Sequence, residues 1–367
     1  MLSAKLVYDE KQFIVPPEMG IPKEDQLEGT DLEKLAELAG RVCYDSLGQG
    51  RSSAQFHRHI LDVGHLSVYR HCPINVSIPV SPFDFKYLLE LLIRMMNIPG
   101  IFVVPGDAQN KDEVAQQILY CSANLQSVIE LDRWIGDKNG DQELRNLLYD
   151  VFQQVGLQAA PQVLSHVKLW EDCYLDGLAL KPTNHEEFRW ISLFLQCGRT
   201  ASHELVRHEY RTAKSQRSTR YCDESETEWI DHPLLRKFYD TGTMKAMTLL
   251  GRARRLESDG KLLYRDFVTA LQKFLQDGNV PGLTARKQAR GASRKFLGSS
   301  LQTEMIFSAS VAQWKRMLTQ RLSNPADAEI RELFSMILEE LKKSQYHESF
   351  DTLETVPADD GIGVVLK

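Results

Sequence analysis

The chain has 367 residues, 43% of them hydrophobic and 26% charged, and carries a net charge of −6. That balance supports a folded core and excludes a general polyanion-binding surface, which needs a basic excess. An anion site therefore has to be a local pocket.

Six cysteines (Cys43, Cys72, Cys121, Cys173, Cys197 and Cys222) are scattered without C-x-x-C spacing, so neither zinc nor a disulfide framework is expected. The start, MLSAKLVYDEKQF, lacks the apolar segment of a secretory signal. No apolar run reaches membrane-spanning length, so no membrane partner is expected, and the expected location is the cytoplasm.

In chain order, residues 1–30 are rich in Pro, Gly and charge around a strand-like KLVYD (5–9). Residues 31–46 have apolar positions at helical spacing behind a capping Asp31. Residues 53–65 predict a second helix ending at Gly64. INVSIPV (74–80) alternates and is β-branched, which predicts a strand. An amphipathic helix is expected at 83–97, closed by IPG. GIFVVPG (100–106) is strand-like, 113–135 reads as helix, 136–142 as a polar loop, and 143–180 as helix again.

From 185 a strand is expected to become helical by Ser202. Residues 232–277 read as largely helical, broken by DGNVPG before a helix at 283–297. Residues 301–322 predict a strand then a helix, 326–343 a last helix, and the tail is weakly patterned. The pattern is helix-rich α+β without βαβ alternation. Neither a Rossmann fingerprint nor a P-loop occurs. ILYCSANLQSVIEL (118–131) echoes the strand-to-helix rhythm of MIFSASVAQWKRML (305–318), an echo that chance periodicity explains more simply than duplication.

Three stretches stand out chemically. RHEYRTAKSQRSTRY (207–221) gathers cationic donors and hydroxyls. If Ser202 to Arg211 is helical, Arg207 and Arg211 share a face with His203 one turn back. The following TAKSQRST reads as a loop able to turn donors toward an anion, which guanidinium groups suit bidentately. A solvated basic helix end is the alternative. ARKQARGASRKF (285–296) places Arg286, Arg290 and Arg294 on one stripe, with no acidic residue between 285 and 303 to offset their repulsion. DVGHLSVYRH (62–71) sets His65 and His71 around a turn. Without carboxylate or thiolate partners nearby, metal binding is not expected there.

These stretches, in this order, resemble the flavin-dependent thymidylate synthases. The similarity covers LAELAGRVCYDS (35–46), FHRHILDVGHLSVYRHCPINVSI (56–78), RTASHELVRHEYRTAKSQRSTRY (199–221), ARKQARGASRKFL (285–297) and AQWKRMLTQRLSNPADAEIREL (312–333). The resemblance implies a helix-rich α+β fold with a central, mostly antiparallel sheet. It divides the chain into an N-terminal family-like part (1–81), a mostly helical insertion (82–186), a C-terminal family-like part (187–350) and a tail (351–367).

It also implies a reaction: reductive methylation of deoxyuridylate (dUMP) at C5, giving dTMP. Methylenetetrahydrofolate would be the carbon donor, FAD the flavin and NADPH the reductant, in a homotetramer acting on small molecules and not on nucleic acid. By position, Glu204, Arg207, Ser218, Arg220, Lys287, Arg290, Arg294 and Arg321 correspond to uridylate-binding residues. His71, His208, Arg211, Ser215 and Gln216 correspond to the flavin side. No catalytic nucleophile is implied.

The resemblance thus places Arg207, Arg294 and Arg321 together on one nucleotide. The chain departs from the family pattern at Glu209, Arg70, Ser310, Ala312 and Gly298. Asn124 and Gln126 in the echo segment are candidate replacements for the positions now held by Ser310 and Ala312. The same departures keep open a nucleotide-binding paralogue without flavin chemistry, or one alkylating a different uridylate.

Overall fold

A computed structural model of the chain describes residues 2–19, 27–47, 50–80, 102–105, 117–127, 129 and 186–367. The predicted helices at 83–97 and 143–180 and the loop at 136–142 lie outside these residues.

The central sheet has the order β1-β5-β7-β6, all antiparallel: β1 (Ser3–Tyr8), β5 (Trp190–Gly198), β7 (Gln302–Ser310) and β6 (Thr212–Gln216). A second sheet has the order β2-β4-β3: β2 (Pro73–Val80), β4 (Gln117–Asn124) and β3 (Phe102–Pro105). A hairpin of β8 (Thr355–Pro357) and β9 (Val364–Leu366) ends the chain. This mixture of helices with an antiparallel sheet matches the α+β class expected.

Both faces of the central sheet are covered, and the period-2 alternation of its strands shows how. On one face Leu193, Leu195, Met305 and Phe307 pack with Trp314, Ile330, Phe334 and Leu338, from helices α7 (Val311–Arg321) and α8 (Ala328–Leu341). On the other, Phe194 and Ile306 pack with Leu35, Leu38 and Val42 of helix α1 (Asp31–Tyr44). Thr30, not Asp31, caps α1: its hydroxyl accepts from the Glu33 amide while the Glu33 carboxylate accepts from the Thr30 amide. Ser52 and Gln55 repeat this capping box at α2 (Ser53–Asp62).

Three local expectations are corrected. Residues 117–124 form β4 rather than helix, because both strand edges find partners, β2 on one side and β3 on the other. Sheet pairing there overrides an ambiguous apolar period. Helix α3 (Arg199–Leu205) stops before Arg207, so Arg207 and Arg211 share no helical face. Arg211 adopts a left-handed backbone (φ 51°), and the following TAKSQ is edge strand β6, paired with β7, instead of loop.

Beyond β6 come α4 (Pro233–Tyr239), the 34-residue α5 (Met244–Asp277) and α6 (Gly282–Ser293). Helix α5 spans about 50 Å at 1.5 Å per residue. It crosses the turn at 294–296 so closely that a Cβ on Gly260 would sit 2.8 Å from the Phe296 carbonyl oxygen. That close approach fixes the turn bearing Arg294.

Candidate functional site

A recess of about 450 Å³ opens where α3, the turn after β6 and the turn before β7 meet. Arg199, His203, Thr219, Arg294, Lys295 and the 297–301 turn line it. A volume in this range suits a small molecule. Three permanent cations face it, and no carboxylate lies among the lining residues. Burial, and after it the charge of Arg294, lowers the pKa of Arg199, while Glu224 acts in the opposite direction. Arg294 Nη1 donates weakly to Thr219 Oγ1 at 3.5 Å, which leaves the rest of the guanidinium fork to a ligand. Gly298 is required at the rim: a Cβ there would lie 2.2 Å from the Trp229 ring.

The loop beside this recess is held by its own residues. The Ser218 carbonyl accepts from the Tyr221 and Cys222 amides, and the Ser218 amide donates to the Cys43 carbonyl at the end of α1. Arg290 donates to the Tyr221 carbonyl and pairs with Asp223 at 3.0 Å. Lys287 stands 4.6 Å above the Tyr221 ring, and Arg220 lies along Gly291 of α6. The arginine stripe of α6 thus finds part of its neutralisation in Asp223, far away in sequence. Tyr221 also meets Tyr44 edge-on at 4.9 Å, and Tyr44 Oη is hydrogen-bonded to His65 Nδ1 at 2.6 Å.

A second locus lies at the other flank of α3. Arg321, at the end of α7, pairs with Glu204, and its Nε donates to His208 Nε2 at 3.0 Å. That bond requires a neutral imidazole. Burial, then Arg321 and Lys214, lower the His208 pKa to about 4.

The eight residues assigned to uridylate therefore divide. Ser218, Arg220, Lys287, Arg290 and Arg294 gather around the 217–222 loop and α6, whereas Glu204 and Arg321 hold each other. Arg207 is exposed past the end of α3, and among the described residues its side chain has no hydrogen bond or ion pair. The expected meeting of Arg207, Arg294 and Arg321 at one point is not seen within a single chain. Helix α3 joins two of the loci, with His203 lining the recess and the adjacent Glu204 holding Arg321.

The five flavin-side positions are all engaged with the protein itself. His71 is 0% exposed, with Nδ1 bonded to Ser308 Oγ at 2.7 Å and Nε2 to Ser215 Oγ at 2.9 Å. Burial, with a smaller effect of Arg70, pushes its pKa down to about 3. Arg211 donates to Ser122 Oγ and to the Glu187 carbonyl, and stacks over Trp190. Gln216 Nε2 donates to Ser202 and Thr303, while His208 is committed to Arg321. Of the proposed replacements, Asn124 Oδ1 accepts from the Ser127 amide, and Gln126 Oε1 accepts from Arg70 Nε at 2.7 Å. These residues do not fit a contact with a flavin within one chain.

Sequence reading gave no role to Arg199 and Lys295, which lie inside the quoted motifs but are turned into the recess only by folding. His203, expected on a face with Arg207 and Arg211, lines the recess instead. Among the described residues no cluster of His, Cys, Asp and Glu could hold a metal, and no helix is long and apolar enough to cross a membrane.

Residues 180–345 match the family model described as thymidylate synthase complementing protein. The chain is 32% identical over 145 residues to the flavin-dependent thymidylate synthase of Corynebacterium efficiens, covering 40% of this chain and 54% of the relative. It is 30% identical over 163 residues to that of Corynebacterium diphtheriae (44% and 60%), and 30% over 167 residues to that of Mycolicibacterium vanbaalenii (45% and 62%). The match spans only a little over half the length of these relatives. The chain is thus similar to the thymidylate synthase complementing protein family through residues 180–345, a little under half of its length.

Proposed function

We propose that the chain binds a uridine monophosphate, with the phosphate in the recess of Arg199, His203, Arg294 and Lys295. The observation that carries this reading is the convergence of Arg199, Arg294 and Lys295 on a cavity without a lining carboxylate. Arg294 offers the phosphate a planar fork and Lys295 a point charge. Thr219 adds a hydroxyl group to its lining. Tyr221, on the loop that carries Thr219, meets Tyr44 and Lys287, and this polar, aromatic group would receive the pyrimidine ring.

In the reaction that the sequence resemblance implies, dUMP would be methylated at C5 with methylenetetrahydrofolate as carbon donor, FAD would supply the hydride when bound, and NADPH would be the reductant. This chain's residues support the nucleotide part. Its own share is to neutralise the phosphate, to orient the base, and to keep His208 unprotonated beside Arg321. The flavin-side residues favour a second reading, a divergent member that binds the nucleotide without flavin chemistry, because His71, Ser215 and Arg211 are already bonded to other groups of the protein. A flavin held between chains of a homo-oligomer reconciles the enzymatic reading with that geometry.

One preparation separates the two. Protein that is yellow, or takes up added FAD, and whose NADPH oxidation rises with dUMP supports the methylation. Colourless protein that still binds dUMP supports the nucleotide-binding reading. Absence of dUMP binding removes both.

A further inference from the structure

Strands β5, β7 and β6 of the four-stranded central sheet follow the plan of the three-stranded sheet. In each, the first strand pairs antiparallel with the third and the third pairs antiparallel with the second, giving β2-β4-β3 and β5-β7-β6. The third strands end in Ser122-Ala123-Asn124 and Ser308-Ala309-Ser310, and both run directly into helical residues. Asn124 accepts from the amide three residues on at 3.0 Å, and Ser310 does the same at 3.2 Å.

The register agrees throughout. Ala123 faces Ile74 and Ala309 faces Ile191, while Ser122 faces Asn75 and Ser308 faces Ser192. The first helical amide bonds the carbonyl just before the first strand in both: Leu125 to Cys72 at 3.0 Å, Val311 to Arg189 at 2.8 Å. The equivalence corrects the sequence echo by one residue, pairing Leu119 with Met305. It also superposes Asn124 and Gln126 on Ser310 and Ala312.

The contact between the units is reciprocal. Asn75 Nδ2 donates to the Phe188 carbonyl at 2.7 Å. The equivalents of Asn75 and Phe188 are Ser192 and His71, and these are joined through Ser308 by bonds of 2.6 and 2.7 Å. Residue i touching j while the counterpart of i meets the counterpart of j is the mark of an isologous, twofold contact. Arg211 adds a clamp from one unit to Ser122 of the other. A chance resemblance between a three-stranded sheet and three strands of another does not require reciprocity at their junction.

We propose that the described parts of residues 66–129 and residues 188–321 carry two copies of one unit, docked within the chain across a pseudo-twofold axis, and that only the second copy binds an anion. The N-terminal copy takes the place of a partner subunit, so the contact is the covalently tethered form of one that two chains would make. The asymmetry of function follows from the sequence. The approach to β7 carries Arg286, Lys287, Arg290, Arg294 and Lys295, whereas 106–116, the approach to β4, holds no arginine and a single Lys111 beside Asp107, Asp112 and Glu113. The statement about the anion rests on the nucleotide reading above, and the statement about duplication does not.

Hydrogen exchange on the intact chain tests the duplication. The Leu125 and Val311 amides are expected to be protected together, each by at least about 100-fold, as buried bonded amides are. Leu125 exchanging at the unprotected rate while Val311 stays slow would overturn the proposal. Calorimetric titration with dUMP tests the asymmetry, with one nucleotide per chain expected and two per chain overturning it. If dUMP does not bind at all, the nucleotide reading fails, and the exchange experiment still decides the duplication.

Discussion

Arg294, His71 and Gly298 do their work one side chain at a time. Arg294 has a weak protein partner and faces the recess, so Arg294→Ala should remove a charged hydrogen bond worth about 1.5–3 kcal/mol. That corresponds to roughly 10- to 150-fold weaker dUMP binding by calorimetry, with an unchanged melting temperature. His71 gives a prediction in pH. Its folded pKa is about 3, below the ordinary value near 6.5. Above pH ~6.5 it is neutral folded or unfolded and does not affect the balance. As pH falls from 6.5 toward 3 only the unfolded chain takes the proton, so stability is progressively lost. His71→Gln should therefore flatten the decline of melting temperature over that window, and an identical slope in both proteins would disprove it. Gly298→Ala should cost about 1–3 kcal/mol through the clash with Trp229, read as a lower denaturation midpoint accompanied by weaker dUMP binding, because the same turn lines the recess.

Among the elements, the strands and capped helices show what could be read from residue order. The helices α1, α2, α7 and α8 were legible because each has an apolar stripe at helical spacing, and most of them begin at a capping residue. Strand β4 was not, since ILYC suits a helix or a strand equally until β2 and β3 supply partners. β6 looked like a loop because its hydroxyl and amide residues carry no apolar signature; as an edge strand it needs only β7. The long α5 is the element with most left to explain. Leu249, Leu256, Leu263, Phe267 and Phe274 recur along one side of it, with Leu256 and Phe274 71% and 72% exposed. Over about 50 Å such a seam is of the order needed for an ordinary protein interface. We expect Leu256→Lys with Phe274→Lys to lower the particle mass in light scattering from a multiple of the 41.9 kDa chain to that single value, with helix content retained.

At the scale of the whole molecule, residue order alone determined the α+β class, the resemblance carried by residues 180–345 and the amphipathic helices. These follow from composition, period and short motifs, which act over a few residues. Tertiary structure decided which arginines meet. Arg199 and Lys295 joined Arg294 around the recess, Arg321 was drawn to Glu204 and His208, and Arg207 was left at the surface. It also decided that Arg290 of α6 is answered by Asp223, that His71, His208, Arg211 and Gln216 are bonded to other groups of the protein, and that both segments of a fourteen-letter echo contain a strand running into helical residues. The reason is common to all of these. Charge pairing, burial and strand register depend on distances between segments that lie tens to hundreds of positions apart, and a local pattern contains no measure of that distance.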